Sequence, residues 1–395
     1  MPTDRETPGG MATLDPNRDW KTLQSYLPGN YRELARTHKQ LETQYGHSRI
    51  TTADELLRMI LVHVGANMPL RQTAAVIAEG GGPVVSPNCI HMKMRRAAPY
   101  LAALVAGMTS WSADCEPERW SGYDLIAVDG TSFAGRCATG TDARIHTALR
   151  LSDLSVYEAH ATGVDVGETL RRFHWLPGQL VIGDRGYSNA AGVVHVVDHG
   201  ADVLVRLNRS ALPLFDRGDD PFNVEGFLRT IGDDRVVERD VRIRSWIGGH
   251  LRVVDGRLVA TRLPADKAEE ARARVRRELG ATASDEVLEM AAYVALFTTT
   301  AKSRLSADQC MAVYRLRWQI ELLFKRWKSL CHFDRLPNER GDTILSWLYA
   351  KLLLGLILER FLGDAPPLSP PVQYASYERT PRRARAVAAQ ALAHE

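Results

Sequence analysis

The chain has 395 residues, enough for two or three domains, and its charged (25%) and apolar (45%) fractions are those of an ordinary globular protein. Its net charge of +3 is too small to demonstrate a polyanionic partner, and its five cysteines include no Cys-x-x-Cys pair, which argues against a zinc site or a disulfide framework. Residues 1–10 form no apolar leader, and the longest apolar stretch, 344–358, is shorter than the about 20 residues of a membrane span. We therefore expect a cytoplasmic protein with reduced thiols.

The N-terminal part of the chain is predicted to be helical after a disordered start. Residues 1–15 are rich in Pro, Gly, Thr and charge. Three short helices are predicted over 56–64, 70–78 and 86–96. Glycines separate the second from the third, and the third ends in bases that include Arg95 and Arg96. This order is typical of a helix-turn-helix, so 16–118 is predicted to be an all-helical DNA-binding domain, although many helical domains share the outline.

From Tyr123 onward, strands and helices follow one another in a mixed α/β pattern. Strands are predicted over 124–129, 144–151, 156–162, 179–183, 201–207 and 293–299, and helices over 167–175, 189–199 and 314–328. Two alternating strands (235–243 and 251–262) and a charged helix (265–279) interrupt this pattern. The predicted divisions are a first core part at 119–212, a β-rich insertion at 213–293, a second core part with the C-terminal helices at 294–364, and a basic Pro-rich tail at 365–395.

The helix predicted over 314–328 carries two separate stripes. At 100° per residue, four polar side chains fall within about 60° of arc, namely Tyr314, Arg317, Glu321 and Lys328. An apolar stripe on another face contains Leu316, Ile320, Leu323, Trp327 and Leu330. From Lys302 to Arg335 there are eight bases, including Lys325 and Arg326, against three acids. The excess suits a phosphate backbone, and the alternative is a solvated charged helix face.

Three acids occupy positions that one active site would require. Asp129 and Asp184 stand just past the ends of apolar strands, where ligands collect in α/β sheets, and Glu321 lies among cations on the polar helix face. Together they could hold two Mg²⁺ ions that act on a phosphodiester. Each acid alone has a simpler interpretation: a turn after a strand for either aspartate, or a surface ion pair with Lys325 for Glu321.

These motifs resemble the signatures of bacterial insertion-sequence transposases of the DDE type. The resemblance is carried by Asp129-Gly130-Thr131, by Asp184-Arg185-Gly186-Tyr187 and by the spacing of Tyr314, Arg317, Glu321 and Lys328, which matches the Y-R-E-K signature of the insertion-sequence-four family. It covers about 123–336. It implies a ribonuclease-H-like α/β core with a β-rich insertion before the last catalytic helix.

The resemblance also implies roles. Asp129, Asp184 and Glu321 would bind two Mg²⁺ ions, with Mn²⁺ able to substitute, and would catalyse cleavage at transposon ends followed by 3′-hydroxyl transfer into target DNA. Tyr314, Arg317, Lys328, Lys325 and Arg326 would grip DNA, and a homodimer would hold two transposon ends beside the bacterial nucleoid. Some relatives stack a flipped base on an aromatic residue of the insertion, for which the candidates here are Trp246 and Tyr293.

Two other functions fit the same residues. One is a metal-dependent DNA nuclease on this fold that cuts but never joins, and the other is a non-enzymatic, domesticated DNA-binding regulator. The presence of all three acids argues against the regulator. Glu168, which follows Gly167 at a predicted helix start, could support the active site.

Overall fold

The computed structural model describes residues 16–42, 49–110, 119–133, 143–163, 165–232, 235–333, 336 and 342–364. The predictions of a disordered N-terminus and of a basic tail lie outside these residues. The chain divides into two compact units. A helical unit contains the residues up to Met108 together with the C-terminal helix, and a sheet unit begins at Thr109.

The helical unit contains all the helices predicted for the N-terminal region. Its helices are α1 (Pro16–Ser25), α2 (Tyr31–Thr37), α3 (Ala53–Gly65), α4 (Leu70–Glu79), α5 (Pro87–Arg96) and α6 (Ala98–Met108). A reciprocal capping box starts α3: the Glu55 backbone N–H donates to Thr52 Oγ1 at 3.1 Å, and the Thr52 N–H donates to Glu55 Oε2 at 3.0 Å. Ser86 caps α5. Arg95 and Arg96 are exposed at its end, whereas Lys93 is buried and donates to the Gln40 carbonyl.

The C-terminal helix α13 (Asp342–Asp364) belongs to this helical unit. The sequence divisions grouped it with the catalytic core, but its neighbours are α3, α5 and α6. Leu348, Leu352 and Leu353 are fully buried there, so the apolar run at 344–358 is a packing surface. None of the helices in the described ranges has the length and apolar character needed to cross a membrane.

The sheet unit is built on one eight-stranded mixed sheet. Its strands are β1 (Asp124–Phe133), β2 (Ala143–Arg150), β3 (Val156–Gly163), β4 (Gln179–Gly183), β5 (Asp202–Arg206), β6 (Val236–Ile247), β7 (His250–Arg262) and β8 (Tyr293–Thr298). The order is β3-β2-β1-β4-β5-β8-β7-β6. The pairs β1–β4 and β4–β5 are parallel and the others antiparallel. Every predicted strand is present, and the two insertion strands extend the core sheet through β8.

The helices of this unit are α7 (Ala190–Asp198), α8 (Val224–Arg229), α9 (Ala265–Leu279), α10 (Asp285–Met290), α11 (Ala307–Leu316) and α12 (Trp318–Cys331). The prediction of a helix over 167–175 is wrong, because only a single 3-10 turn forms, at Leu170–Arg172. Phe173 and Trp175, two residues apart, are both buried, as in an extended segment that turns alternate side chains inward. Pro177 follows them closely, where a helix would have to end.

The helix predicted over 314–328 is interrupted at Arg317, between α11 and α12. The backbone there keeps right-handed helical angles (φ −51°, ψ −32°), so the interruption is local. The apolar stripe is buried except for Leu330, which is 58% exposed and was wrongly assigned to it. The C-terminal cap of α12 is His332, which has a left-handed φ of 49°. Phe333 then packs on Trp327, with ring centroids 5.0 Å apart, and covers the core end of the helix in place of Leu330.

A buried carboxylate ties the segment after β3 to the sheet. Glu158 Oε2 accepts a hydrogen bond from the His174 backbone N–H at 2.8 Å, and its Oε1 lies 2.8 Å from His174 Nδ1 and 2.7 Å from His160 Nε2. Burial acts to raise the pKa of Glu158, but the hydrogen bonds from His160 and His174 prevail and lower it from its ordinary 4.5.

Glu158→Gln should therefore lower the free energy of unfolding by about 1–3 kcal/mol at pH 7, since hydrogen bonds to a charged group are lost. A depressed carboxyl pKa stabilises the fold above the unfolded-state value, and this contribution disappears as the pH falls through the folded-state pKa. Urea unfolding measured at several pH values should show a wild-type advantage that is full at pH 7 and narrows below 4.5. A gap that stays constant with pH would contradict this role.

Candidate active site

Asp129 and Asp184 lie at the same edge of the sheet. β1 and β4 run parallel, and the last paired residues are Ala127 and Ile182. Asp184 follows β4 directly, and Asp129 lies just beyond the part of β1 that pairs with β4. The sequence predicted that β1 ends there, but the strand continues to Phe133 along β2. The carboxyl ends of parallel strands still bring both aspartates together, as the topology of α/β sheets requires.

The helical acid joins them through Arg317. Glu321 lies in the first turn of α12, which packs against β1. Arg317 Nη1 donates to Asp129 Oδ2 at 3.2 Å, while its Nη2 donates to Glu321 Oε1. One guanidinium therefore holds two of the three predicted acids, and the ion pair of Glu321 is with Arg317 rather than with Lys325.

Electrostatic strain marks Asp129 as the central acid. Burial raises its pKa to about 6, and the neighbouring carboxylates of Asp184 and Glu321 act in the same direction. Arg317 and the Gly130 backbone N–H, which donates to Asp129 Oδ1 at 2.8 Å, oppose this shift without cancelling it. The site thus concentrates more negative charge than one arginine neutralises.

The carboxylate oxygens of the three acids are ligands of the chemical type that a hard divalent cation prefers. Carboxylate oxygens are the ligands that Mg²⁺ and Mn²⁺ prefer, and an added cation would relieve the strain on Asp129. In the described part of the chain, no group of three or more His, Cys, Asp or Glu side chains is arranged to hold an ion. Arg317 stands between Asp129 and Glu321 instead. A metal could bind these oxygens once Arg317 releases them.

The remaining members of the polar helix face differ in position. Tyr314 packs near the Arg317 guanidinium, 6.0 Å from ring centroid to Cζ, and burial raises its pKa. Lys325 and Lys328 are exposed, and Arg326 is half-buried. Tyr314 and Arg317 therefore lie at the acids, whereas the two lysines lie on the outer surface of α12.

The two aromatic candidates of the insertion also differ. Trp246 is 73% exposed near the tip of the β6–β7 hairpin, where a flat ring is open to a partner. Tyr293 is 7% exposed and forms part of the hydrophobic core. Its burial argues against stacking on a flipped base, because the core would have to open first.

A basic cleft beside the acids was missed by the sequence reasoning. It encloses about 700 Å³, and its cationic lining residues are Arg185, Arg206, Arg209 and Arg274. Arg206 Nε is buried without a hydrogen-bond partner among the described residues. Electrostatic interactions of Arg185 and Arg206 with Tyr314 place the cleft next to the polar helix face. Arginines just after β4 and at the end of β5, at the same sheet edge as Asp184, could have revealed it.

Comparison with known proteins assigns the family. Residues 120–356 match the family model described as a transposase DDE domain. The chain is 28% identical over 364 residues to the InsL protein of insertion sequence element IS186A from Escherichia coli strain K12, covering 89% of this chain and 96% of that protein. It is similarly 28% identical over 365 residues, with the same coverage, to the transposase of insertion sequence element IS421 from Escherichia coli.

The transposase of element IS231C from Bacillus thuringiensis subsp. berliner is 24% identical over 209 residues, covering 48% of this chain and 42% of that protein. The matched domain contains all three acids described above, and it implies a general dependence on divalent metal ions. The chain therefore belongs to the transposases with a DDE domain, a family of enzymes that cleave and transfer DNA.

Proposed function

We propose that this protein is the transposase of a bacterial insertion sequence, which hydrolyses the DNA strand at the transposon ends and joins the freed 3′-hydroxyl to target DNA. The observation that carries the proposal is the convergence of Asp129 and Glu321 on one guanidinium beside Asp184. A ribonuclease-H-like core accounts for the mixed sheet in which Asp129 lies just past the part of β1 that pairs with β4, and Asp184 follows β4 directly.

Asp129, Asp184 and Glu321 would hold two Mg²⁺ ions, for which Mn²⁺ could substitute. When bound, such ions activate the attacking oxygen and stabilise the leaving oxygen of a phosphodiester. The protein's own part is positional: β1 and β4 fix the aspartates, and α12 fixes Glu321 against β1. The Asp129 side chain is 15% exposed and that of Glu321 is 44% exposed, so exclusion of water strengthens electrostatic interactions with the substrate mainly at Asp129.

Arg317 would have two partners in turn. Its guanidinium forms ion pairs with Asp129 and Glu321. With cations on these oxygens, its guanidinium would be repelled toward a DNA phosphate, which it can bind with two parallel hydrogen bonds. Tyr314 lies beside it near the end of α11, and Lys325, Arg326 and Lys328 on α12 would bind the phosphate backbone of the bound strand.

The remaining contacts with DNA are also proposals. The helical unit would bind the terminal repeats, with Arg95 and Arg96 exposed at the end of α5. Trp246 would stack on an extruded base. A homodimer, working on the nucleoid in the cytoplasm, would bring two ends together.

A strand-transfer assay separates this function from its alternatives. Purified protein is given Mg²⁺, a target plasmid and a pre-cut duplex that carries the repeats flanking the gene. We expect joined products that disappear when the 3′-hydroxyl of the duplex is replaced by hydrogen, because that oxygen is the nucleophile. A nuclease would nick the plasmid without joining, and a DNA-binding regulator would do neither; either result would overturn the proposal.

A further inference from the structure

A fourth carboxylate lies against the two aspartate motifs. Gly130 follows Asp129, and Gly186 stands two residues after Asp184. A Cβ atom added at Gly186 would overlap Glu168 Oε2, and one added at Gly130 would lie 3.0 Å from Glu168 Oε1. The Glu168 carboxyl group therefore fills the space that these two glycines leave open.

In the space beside Gly186, the Glu168 carboxyl group also comes close to Asp184. A Cβ atom at Gly186 would also lie 3.3 Å from Asp184 Oδ1, which accepts a hydrogen bond from the Gly186 N–H at 2.9 Å. Burial raises the pKa of Glu168, and the charge of Asp184 raises it further, while Arg144 acts against them. Among the described residues, none donates a hydrogen bond to the Glu168 carboxylate. An acid held beside another acid in this way is destabilising unless a cation joins them.

The position of Glu168 is built into the surrounding structure. The segment that carries it is fixed by Glu158, which binds both the backbone and the ring of His174. Within the segment, Trp175 Nε1 donates to the Leu170 carbonyl at 2.8 Å, and Arg172 Nη2 donates to the Gly167 carbonyl at 3.3 Å. Glu168 thus lies in an irregular segment, two residues before the 3-10 turn at Leu170–Arg172, and this segment is anchored by hydrogen bonds at Gly167 and His174.

We infer that Glu168 supplies a fourth carboxylate to the divalent-cation site, on the side of Asp184. Resting on the proposed function, the inference adds a residue to the three acids that carry it. Glycine at 130 and 186 leaves room for the Glu168 carboxyl group, and a side chain at Gly186 would displace it. The site would then draw its acids from β1, from the residue that follows β4, from the irregular segment between β3 and β4, and from α12.

Two variants test Glu168 in different ways. Glu168→Gln removes the charge and keeps the shape. Gly186→Ala keeps the carboxylate but pushes it away, and this should cost little stability because the displaced atoms end a flexible side chain. Both should weaken Mn²⁺ binding, measured by calorimetry without DNA, by about 10- to 100-fold. Combining them should add little, since both remove the same interaction.

The control is Glu270→Gln on the exposed helix α9, which should bind Mn²⁺ like the wild type. Without metal, Glu168→Gln should unfold at the wild-type temperature or above, whereas a merely structural carboxylate would lower it on substitution. Gel-shift affinity for the transposon end should stay within about twofold, since the DNA contacts are elsewhere. Wild-type Mn²⁺ affinity in Glu168→Gln, or a lowered unfolding temperature, would overturn the inference.

The same measurements keep the two claims apart. If the wild-type protein cleaves transposon ends with Mn²⁺ and Asp129→Asn does not, but Glu168→Gln binds Mn²⁺ and cleaves normally, only the role of Glu168 fails. If the wild-type protein binds Mn²⁺ through Glu168 but cleaves no DNA, the proposed function fails while the cation site survives.

Discussion

Asp129→Asn should reduce metal-dependent cleavage of a transposon end by at least about 1,000-fold, equivalent to about 4 kcal/mol of transition-state stabilisation. Asp129 stands at the centre of the site: Arg317 donates to it, and both Asp184 and Glu321 influence its charge. An amide keeps the shape of the side chain but cannot offer an anionic ligand to a divalent ion. Cleavage of a labelled end duplex in Mg²⁺ and in Mn²⁺ measures the effect.

Two further readouts make this prediction specific to the chemistry. The affinity for transposon-end DNA in the absence of metal should stay within about twofold of wild type, because lysine and arginine contacts with the DNA phosphates supply most of that affinity. Because burial raises the pKa of Asp129 to about 6, its charge is unfavourable in the metal-free fold, and the variant should unfold no earlier than the wild type. Asp240→Asn, on an exposed ion pair of β6, is the matched control. Near-normal cleavage by Asp129→Asn would remove this residue from the site.

Arg257→Ala should lower the free energy of unfolding by about 3–5 kcal/mol, the usual result of breaking a buried ion pair. Arg257, in β7, pairs with Glu238 and donates to the carbonyls of Thr300 and Leu305 at 3.1 and 2.8 Å. It therefore connects the sheet to the segment that starts α11. Because that segment positions the polar helix face, cleavage should fall together with stability.

Arg252→Ala provides the comparison within the same strand. Arg252 is 48% exposed and pairs with Asp198 at the surface, so its loss should change the free energy of unfolding by less than about 1 kcal/mol. Urea unfolding of both variants at one pH measures the difference. Equal losses would mean that the buried network around Arg257 does not hold the segment before α11.

The sheet and the aspartates could be predicted because local pattern decides them. Buried strands show runs of apolar residues, and the ends of parallel strands meet at one edge whatever the rest of the fold does. Asp129 and Asp184 therefore followed from the order of strands. Glu321 followed from helical spacing, which survives the interruption at Arg317 because the backbone keeps helical angles there.

Predictions that depend on tertiary packing were less successful. Residues 167–175 have helix-forming side chains, yet burial of Phe173 and Trp175 favours an extended segment. Leu330 fits the helical stripe but lies beyond the core and is exposed. Tyr293 was predicted to be available for stacking, but as part of β8 it is buried. The local sequence pattern does not indicate which of these side chains the tertiary structure buries.

Contacts between distant residues were also beyond the sequence reasoning. The pairing of Arg317 with Asp129 joins residues 188 positions apart, and the space that holds the Glu168 carboxyl group depends on Gly130 within β1 and on Gly186 after β4. The C-terminal helix shows its apolar surface in the sequence but not its partner, which is the helical unit. Only the assembled chain shows which charges are close enough to need a cation.

The most direct test of the central claim is anomalous diffraction from crystals of the protein with transposon-end DNA and Mn²⁺. Manganese should bind the carboxylates of Asp129, Asp184 and Glu321, and the Arg317 guanidinium should have left Asp129 for a DNA phosphate. Manganese bound elsewhere, with Arg317 still held between Asp129 and Glu321 in the DNA complex, would contradict the account.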